Sequence, residues 1–296
     1  MAIVVTADTR LLVQGITGRE GSFHATRNRD YGTKLVAGVT PGKGGQEAAG
    51  VPVYDTVAEA VHEQHANTAM VFVPPRFAAD AILESADAGV ETIVCITEGI
   101  PAHDMLRVYN HVRPRGITLL GPNCPGALSP GVANVGIIPA QVFAPGRIGL
   151  VSRSGTLTYQ IGKELADAGL GNSSIVGIGG DPVVGQSFID VLARFEADPE
   201  TDLVVMVGEI GGSDEEQAAD YIAARMSKPV VAYIAGFTAP PGKQMGHAGA
   251  IVSGTSGTAA AKAAALEEKG VRVGHTPTET AAIAVEVLGG APLPAS

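Results

Sequence analysis

The sequence predicts two doubly wound α/β domains in series. Short apolar runs rich in Val and Ile alternate with longer amphipathic segments, which is the pattern of parallel strands covered by helices on both faces. The 39 glycines and 19 prolines stand between these runs rather than in one low-complexity tract, so they indicate turns. The rhythm lapses once, between 121 and 146, and this lapse divides the chain into two halves.

Candidate strands occur at similar intervals on both sides of the lapse. In the first half they are Arg10–Gln14, Lys34–Val39, Ala69–Val73, Thr92–Ile96 and Ile117–Leu120. After Arg147 they are Ile148–Val151, Ser174–Ile178, Leu203–Val207, Val230–Ile234 and a weaker run at Val271–Val273. Ligands of such folds bind beyond the carboxyl ends of the strands, so we expect the functional residues in the loops that follow them.

Charge and composition exclude several classes of protein. A net charge of −10 argues against nonspecific binding to nucleic acids or anionic membranes. Cys95 and Cys124 form neither a disulfide framework nor a metal-ligand spacing, and they fit a reducing compartment. The N-terminus does not resemble a signal peptide, and the longest apolar runs fall short of the roughly 18 residues of a membrane span. We therefore expect a cytoplasmic enzyme.

The first candidate strand is followed by a glycine turn, Gly15–Gly21, with the spacing G-x-x-G-x-x-G. This spacing departs from the dinucleotide fingerprint but keeps the strand, turn and helix N-terminus that bind a phosphate; an ordinary βα turn fits it equally well. An NAD-binding domain places an acidic residue about 20 positions further on. Here the second strand runs into Thr40–Gly45, where Lys43 suits a phosphate rather than a ribose diol.

Two further loops of the first half hold candidate residues. Ile96, Thr97 and Glu98 follow a strand, and a helix cap and a ligand contact explain them equally well. Cys124 lies in Gly121–Gly126, where two prolines restrict the backbone. This rigid turn favours a functional location for Cys124, whereas a buried structural role is preferred for Cys95.

The second half offers an anion site and a carboxylate. Ser154, Gly155 and Thr156 come between a strand and an amphipathic segment, where they either cap a helix or bind an anion through free amides and the helix dipole. Glu209 is the first charge after an apolar run. It is either a solvated strand end or the partner of an imidazole.

His247 lies between small residues in Gly246–Ala250. A histidine in a loop is by default a solvated side chain. Flanking glycines and alanines, however, leave the ring open to close approach by a phosphoryl group, which suits a nucleophile.

These strings together resemble the α subunits of succinyl-CoA synthetases, the nucleoside-diphosphate-forming succinate–CoA ligases of the citric acid cycle. The resemblance covers nearly the whole chain. It rests on Gln14–Gly21, Val39–Gly45, Ile96–Pro101, Gly121–Gly126, Val151–Tyr159, Gly177–Pro182, Gly208–Gly212 and Gly246–Ala250.

The resemblance implies a Rossmann-like CoA-binding domain over 1–121, an interdomain segment over 122–146 and a flavodoxin-like ligase domain over 147–290. Residues 291–296 are expected to form a tail. The implied CoA-binding residues are Thr17, Gly18, Arg19, Glu20, Lys43, Ile96, Thr97, Glu98 and Cys124.

The resemblance also implies the catalytic residues. His247 is expected to be phosphorylated, Glu209 to orient it, and Ser154, Gly155 and Thr156 to hold the phosphate, with Tyr159 at the substrate site. No metal ligand is assigned to this chain, because Mg²⁺ and nucleotide are expected on a separate ATP-grasp β subunit. Copies of the two subunits are expected to assemble as a heterodimer or a heterotetramer.

Three alternatives remain at this point. A CoA- or dinucleotide-sensing regulator predicts a basic DNA-binding helix-turn-helix, and this acidic chain shows neither feature. An NAD-dependent dehydrogenase requires the acidic residue that the second strand lacks. A ligase for malate or another dicarboxylate fits the same residues as a ligase for succinate.

Overall fold

The chain forms two compact units in the computed structural model, which describes residues 2–240, 244–252 and 257–289. The N-terminal unit comprises Val4–Ala140 and Val183–Gln186. The C-terminal unit comprises residues 2–3, Gln141–Pro182 and the described residues from Ser187 onward. The expected tail at 291–296, residue 290 of the ligase domain and Lys243 lie outside the described residues.

The N-terminal unit is built on a sheet with the Rossmann strand order. Its strands are β1 (Arg10–Gln14), β2 (Lys34–Val39), β3 (Glu47–Ala48), β4 (Val51–Tyr54), β5 (Thr68–Val71), β6 (Thr92–Cys95) and β7 (Thr118–Leu120). They lie in the order β3-β4-β2-β1-β5-β6-β7, and all neighbours are parallel except β3 and β4. When the two-residue β3 is left out and the other six strands are renumbered along the chain, this is the order 3-2-1-4-5-6. The order reverses between β1 and β5.

Helices and an antiparallel hairpin complete this unit. The helices are α1 (Arg19–Tyr31), α2 (Val57–Gln64), α3 (Pro75–Asp87) and α4 (Ala102–Val112). The hairpin consists of β8 (Gly126–Ser129) and β9 (Ala133–Gly136). Leu12, Val71 and Ile93, on three adjacent strands, belong to one buried apolar cluster of this unit, whose burial is the main favourable contribution to folding.

The C-terminal unit has the other common doubly wound order. Its strands are β10 (Pro145–Ser152), β11 (Asn172–Gly177), β12 (Leu203–Glu209), β13 (Val230–Ala235) and β14 (Arg272–Gly274). These five parallel strands lie in the order β14-β13-β12-β10-β11, which is the flavodoxin-like order 2-1-3-4-5. Its helices are α5 (Gly155–Asp167), α6 (Phe188–Ala197), α7 (Asp214–Arg225), α8 (Ala259–Glu268) and α9 (Pro277–Val287).

The predicted fold class is confirmed, and each predicted strand is present; β1 and β2 have the predicted ends, and the others differ by a few residues. Two short strands, β3 and β4, were not predicted, nor was the hairpin β8–β9 inside the stretch expected to lack periodicity. In that hairpin Gly126 pairs with Gly136, and a Cβ on Gly126 would lie 2.1 Å from the carbonyl oxygen of Val135. At these glycines the two backbones approach each other closely, and the alternation of apolar and polar side chains that usually predicts a strand is missing. Residues up to Ala140 belong to the N-terminal unit.

Among the described residues, no helix combines the length and apolar character needed to cross a bilayer.

Candidate functional sites

The turn between β1 and α1 is shaped to accept an anion. Gly15 has φ +80°, and Gly18 precedes the helix in an extended conformation with no side chain capping the helix amides. A Cβ on Gly21 would lie 2.3 Å from the carbonyl oxygen of Gly15, so only glycine allows the helix to start this close to the turn. The first amides of α1 can therefore point at a phosphate, favoured by the helix dipole.

A cavity of about 920 Å³ opens beside this turn, next to the ends of β1, β2 and β5. Four residues predicted to bind CoA line it, namely Thr17, Gly18, Arg19 and Glu20. The apolar wall of this cavity consists of Phe72, Val73, Pro74 and Phe77, of which the aromatic residues Phe72 and Phe77 were not identified from the sequence. These residues follow β5 or lie at the start of α3. Their position just beyond a strand end is the signal by which the sequence could have identified them.

Lys43 lies in the turn after β2, outside the residues that line the cavity. It is exposed, and its backbone N–H donates to the Thr40 carbonyl at 3.0 Å. Thr40 does line the cavity, and its hydroxyl lies 3.2 Å from the hydroxyl of Thr17. The loops after β1 and β2 are thus joined at the cavity.

Ile96, Thr97, Glu98 and Cys124 also lie outside the lining of that cavity. The Thr97 hydroxyl donates to the carbonyl of Val73 at 2.8 Å, and Glu98 is exposed. Helix α4 begins only at Ala102, after Pro101, with no side-chain cap, so these residues do not cap it.

Cys124 is buried, and its Sγ lies 3.3 Å from the carbonyl oxygen of Cys95. The backbone around it is tight, since a Cβ on Gly121 would meet both the Cys95 carbonyl oxygen and the Cys124 Sγ within 3.0 Å. In this conformation the thiol is a packed group rather than an exposed one.

His247 and Glu209 are in direct contact in the C-terminal unit. Glu209 is the last residue of β12 and is buried, whereas the His247 side chain is 23% exposed. The ring Nδ1 lies 2.7 Å from the Glu209 Oε2. A carboxylate only accepts hydrogen bonds, so Nδ1 carries the proton. Nε2 is then the nitrogen that Glu209 does not hold.

A tight turn and a glycine fix the position of the ring. The His247 N–H donates to the Met245 carbonyl at 2.7 Å, and the Met245 N–H donates to the Ala250 carbonyl at 2.8 Å. Gly180 lies against the imidazole, where a Cβ would come within 2.2 Å of the ring. Only a residue without a side chain allows this approach.

The electrostatic environment favours the charged form of the imidazole. The hydrogen bond that His247 donates to Glu209 raises the pKa of His247, and the negative charges of Glu209 and Asp181 act in the same direction. Partial burial and the positive charge of Arg153 lower that pKa, but they do not cancel the first effect. The carboxylate of Glu209 therefore stabilises the charged form of the ring, and the guanidinium of Arg153 partly opposes this effect.

Helix α5 begins at the same edge of this sheet as Glu209. Its strand β10 pairs in parallel with β12, so that Ser152 lies opposite Val207. The Ser154 side chain caps the helix by accepting from the Leu157 N–H at 3.4 Å. Of the two alternatives, the structure contains the helix cap, formed by Ser154, and the amides of the first helical residues, Gly155 and Thr156, still face the helix start.

Tyr159 and a buried cluster of charged side chains also belong to this unit. Tyr159 lies in α5 and is half-buried. Behind Glu209, the side chains of Arg153, Glu215 and Lys262 are all buried. This cluster was not identified from the sequence, although Arg153, like Glu209, is the first charge after an apolar strand.

Comparison with known proteins matches each of the two units to a protein family. Residues 6–99 match the CoA binding domain family, and residues 151–272 match the CoA-ligase family. The chain is 61% identical over 288 residues to the ADP-forming succinate–CoA ligase α subunit 2 of Archaeoglobus fulgidus, covering 97% of this chain and 100% of the relative. It is 56% identical to the corresponding α subunit of Aquifex aeolicus, covering 97% and 95%.

A solved structure shares the fold. An ATP citrate lyase of Methanosaeta concilii superposes with a TM-score of 0.87 at 24% identity, over 97% of this chain and 51% of the longer lyase chain. At that identity the likeness concerns the fold alone. The sequence identity to the two ligase subunits extends over both units, and the chain therefore belongs to the family of succinate–CoA ligase α subunits.

Proposed function

We propose that this chain is the α subunit of a ligase that converts succinate, CoA and a nucleoside triphosphate into succinyl-CoA, nucleoside diphosphate and phosphate through a phosphohistidine. The observation that carries the proposal is the 2.7 Å contact between His247 Nδ1 and Glu209. It fixes the tautomer in which Nε2 has a lone pair for attack on phosphorus. The relatives named above are ADP-forming succinate–CoA ligases.

The reaction requires three transfers. In the first, His247 Nε2 attacks the γ-phosphorus, the bond to the nucleoside diphosphate breaks, and a P–N bond forms. In the second, a succinate carboxylate oxygen takes the phosphoryl group and frees the imidazole. In the third, the CoA thiolate attacks the carbonyl carbon of succinyl phosphate, and inorganic phosphate leaves. Glu209 stabilises the positive charge that the ring acquires in the first transfer.

Positioning dominates phosphoryl transfer, because the protein has little covalent chemistry to perform. The start of α5 supplies amides and the positive end of a helix dipole, so we assign Ser154, Gly155 and Thr156 to hold the transferred phosphate. Tyr159, in the same helix, is assigned to the succinate site.

We assign CoA to the cavity of the N-terminal unit. The uncapped start of α1 suits its phosphates, and the wall of Phe72, Val73, Pro74 and Phe77 suits its apolar stretches. Thr17, Gly18, Arg19 and Glu20 line the cavity. Lys43, Ile96, Thr97, Glu98 and Cys124 are assigned to CoA on the family resemblance.

The nucleotide and Mg²⁺ are assigned to a separate β subunit with an ATP-grasp fold. Among the described residues of this chain, no cluster of His, Cys, Asp and Glu side chains could hold a metal ion. The proposed domains are a CoA-binding domain over 1–121, an interdomain segment over 122–146 and a ligase domain over 147–290. The proposed location is the cytoplasm.

The proposal is tested by producing the chain with its β subunit and measuring thioester formation. Succinate, CoA, Mg²⁺ and ATP or GTP should yield succinyl-CoA, and omission of any one component should abolish it. Malate supplied in place of succinate tests the closest alternative. A complex that forms malyl-CoA but no succinyl-CoA would overturn the assignment of substrate.

A further inference from the structure

We propose that Arg153 is a positioning residue for His247 and acts through the Glu209 carboxylate that lies between them. This inference rests on the proposed function, because it concerns the same imidazole. Arg153 follows β10, and its backbone N–H donates to the carbonyl of Val207 on the neighbouring strand β12 at 3.1 Å. The backbone thereby ties Arg153 to the strand that ends in Glu209.

The two oxygens of Glu209 face different partners. Oε2 lies 2.7 Å from His247 Nδ1, and Oε1 lies 3.9 Å from the Arg153 Nε. Both Oε1 and Nε are buried, and each lacks a hydrogen-bond partner. Buried polar atoms are costly to leave unpaired. A movement of about 1 Å would bring these two atoms to the usual length of an N–H···O bond.

A second buried pair holds this arrangement in place. Lys262 and Glu215 are fully buried and form an ion pair. The Lys262 Nζ donates to the carbonyl of Gly211 at 2.5 Å, and the Glu215 Oε1 accepts from the backbone N–H of Glu209 at 3.1 Å. The pair thus fixes the backbone on both sides of the β12 end.

Arg153 shares its charge among three carboxylates. Besides Glu209, it lies 3.4 Å from Asp214 and 3.7 Å from Glu215. Burial raises the pKa of the Glu215 carboxyl, and the neighbouring Lys262 and Arg153 counteract that rise. When the imidazole is protonated, Glu209 therefore interacts with two cations, the imidazolium and Arg153. When the imidazole is neutral, Arg153 is the cation beside Glu209.

The balance of these charges determines what fraction of His247 is neutral at a given pH and can therefore act as a nucleophile. The charged groups facing the ring are Glu209, Asp181 and Arg153, and among these three only Arg153 lowers the pKa of His247. Without the guanidinium, Glu209 would stabilise the imidazolium more strongly, and less neutral imidazole would remain at a given pH. Arg153 thus keeps the nucleophile available although a carboxylate is bonded to it.

The test compares Arg153→Met, Arg153→Gln and Arg153→Lys in the full chain. The control is Arg147→Met, because Arg147 is an exposed residue that pairs with Asp202. NMR of histidine-labelled protein, with His247 assigned through His247→Asn, gives the protonation midpoint of the ring without any phosphorylation. The rate of phosphohistidine formation is then measured against pH with the β subunit, Mg²⁺ and ATP.

Both neutral variants should raise the midpoint by about half a pH unit or more. They should also slow phosphorylation near neutral pH on the order of tenfold, with recovery at higher pH. Arg153→Lys should restore the wild-type midpoint, and Arg147→Met should not change it. If Arg153→Met does not fold, Arg153→Gln, which keeps a hydrogen-bonding side chain, carries the same expectation.

A folded neutral variant with the wild-type midpoint would overturn the inference. So would a lysine variant shifted as far as the methionine variant, since packing and not charge would then be responsible. If wild-type His247 is not phosphorylated at all, the proposed function fails. The NMR comparison still decides the role of Arg153 in that case.

Discussion

At the scale of single residues, the contact between His247 and Glu209 decides the chemistry. Glu209→Gln keeps the shape of the side chain but removes the charge that stabilises the forming imidazolium. We expect phosphohistidine formation to slow on the order of 10²-fold or more, with CoA affinity intact. Single-turnover phosphorylation measures this effect directly. A glutamine variant that reacts at the wild-type rate would show that Glu209 is only a strand end.

The raised pKa of His247 also predicts a pH-dependent stability. A group whose pKa is higher in the folded chain stabilises it fully below the unfolded value of about 6.5, and this contribution disappears as pH rises through the folded pKa. Urea denaturation of the wild type and of His247→Asn at pH 6 and pH 8 measures it. The difference in unfolding free energy should be larger at pH 6, and an equal or larger difference at pH 8 would contradict the assignment.

The sequence predicted part of this residue-scale picture. His247 and Glu209 stand out because small residues surround one and an apolar strand precedes the other, and their contact is present. Lys262 could not be predicted, because its partner Glu215 lies 47 residues away and only the fold brings the two together. A lysine in an alanine-rich helix otherwise indicates a solvated face. The contact between Gly180 and the imidazole could not be predicted either, because the sequence around this glycine does not indicate it.

At the scale of elements, the turn between β1 and α1 carries the CoA proposal. Gly21→Ala would place a Cβ 2.3 Å from the Gly15 carbonyl oxygen, so the turn must open and its amides must move. We expect CoA affinity to fall about tenfold or more, since the phosphate contacts depend on that geometry. Isothermal titration of the variant measures the loss, and Ser22→Ala, one residue along the same helix, is the control. Equal affinities of the two variants would exclude this turn from the CoA site.

The elements themselves were largely predictable where strands are central. β1 and β2 have the predicted ends, because buried parallel strands are nearly continuous apolar runs. The hairpin β8–β9 was not predictable from alternation, since one of its four residue pairs consists of two glycines, Gly126 and Gly136. Edge strands such as β3, with two residues, are too short to show a period.

At the scale of the whole molecule, the chain combines a Rossmann-like unit with a flavodoxin-like unit. The first has the topology of dinucleotide-binding domains but lacks the acidic residue after β2, where Lys43 stands instead. CoA should therefore raise the melting temperature of the chain, and NADH should not. At a concentration of about 100 Kd the expected stabilisation is about 2.7 kcal/mol. Equal stabilisation by NADH in a thermal-shift experiment would restore the dehydrogenase interpretation.

The central claim is that His247 carries a phosphoryl group during turnover. The direct measurement is to incubate the chain with its β subunit, Mg²⁺ and γ-labelled ATP or GTP, and then to treat the labelled chain with acid and with base. Phosphohistidine is labile in acid and stable in base, so the account predicts a label that acid removes, that base leaves, and that His247→Asn lacks. An acid-resistant label, or one that persists in His247→Asn, would contradict it.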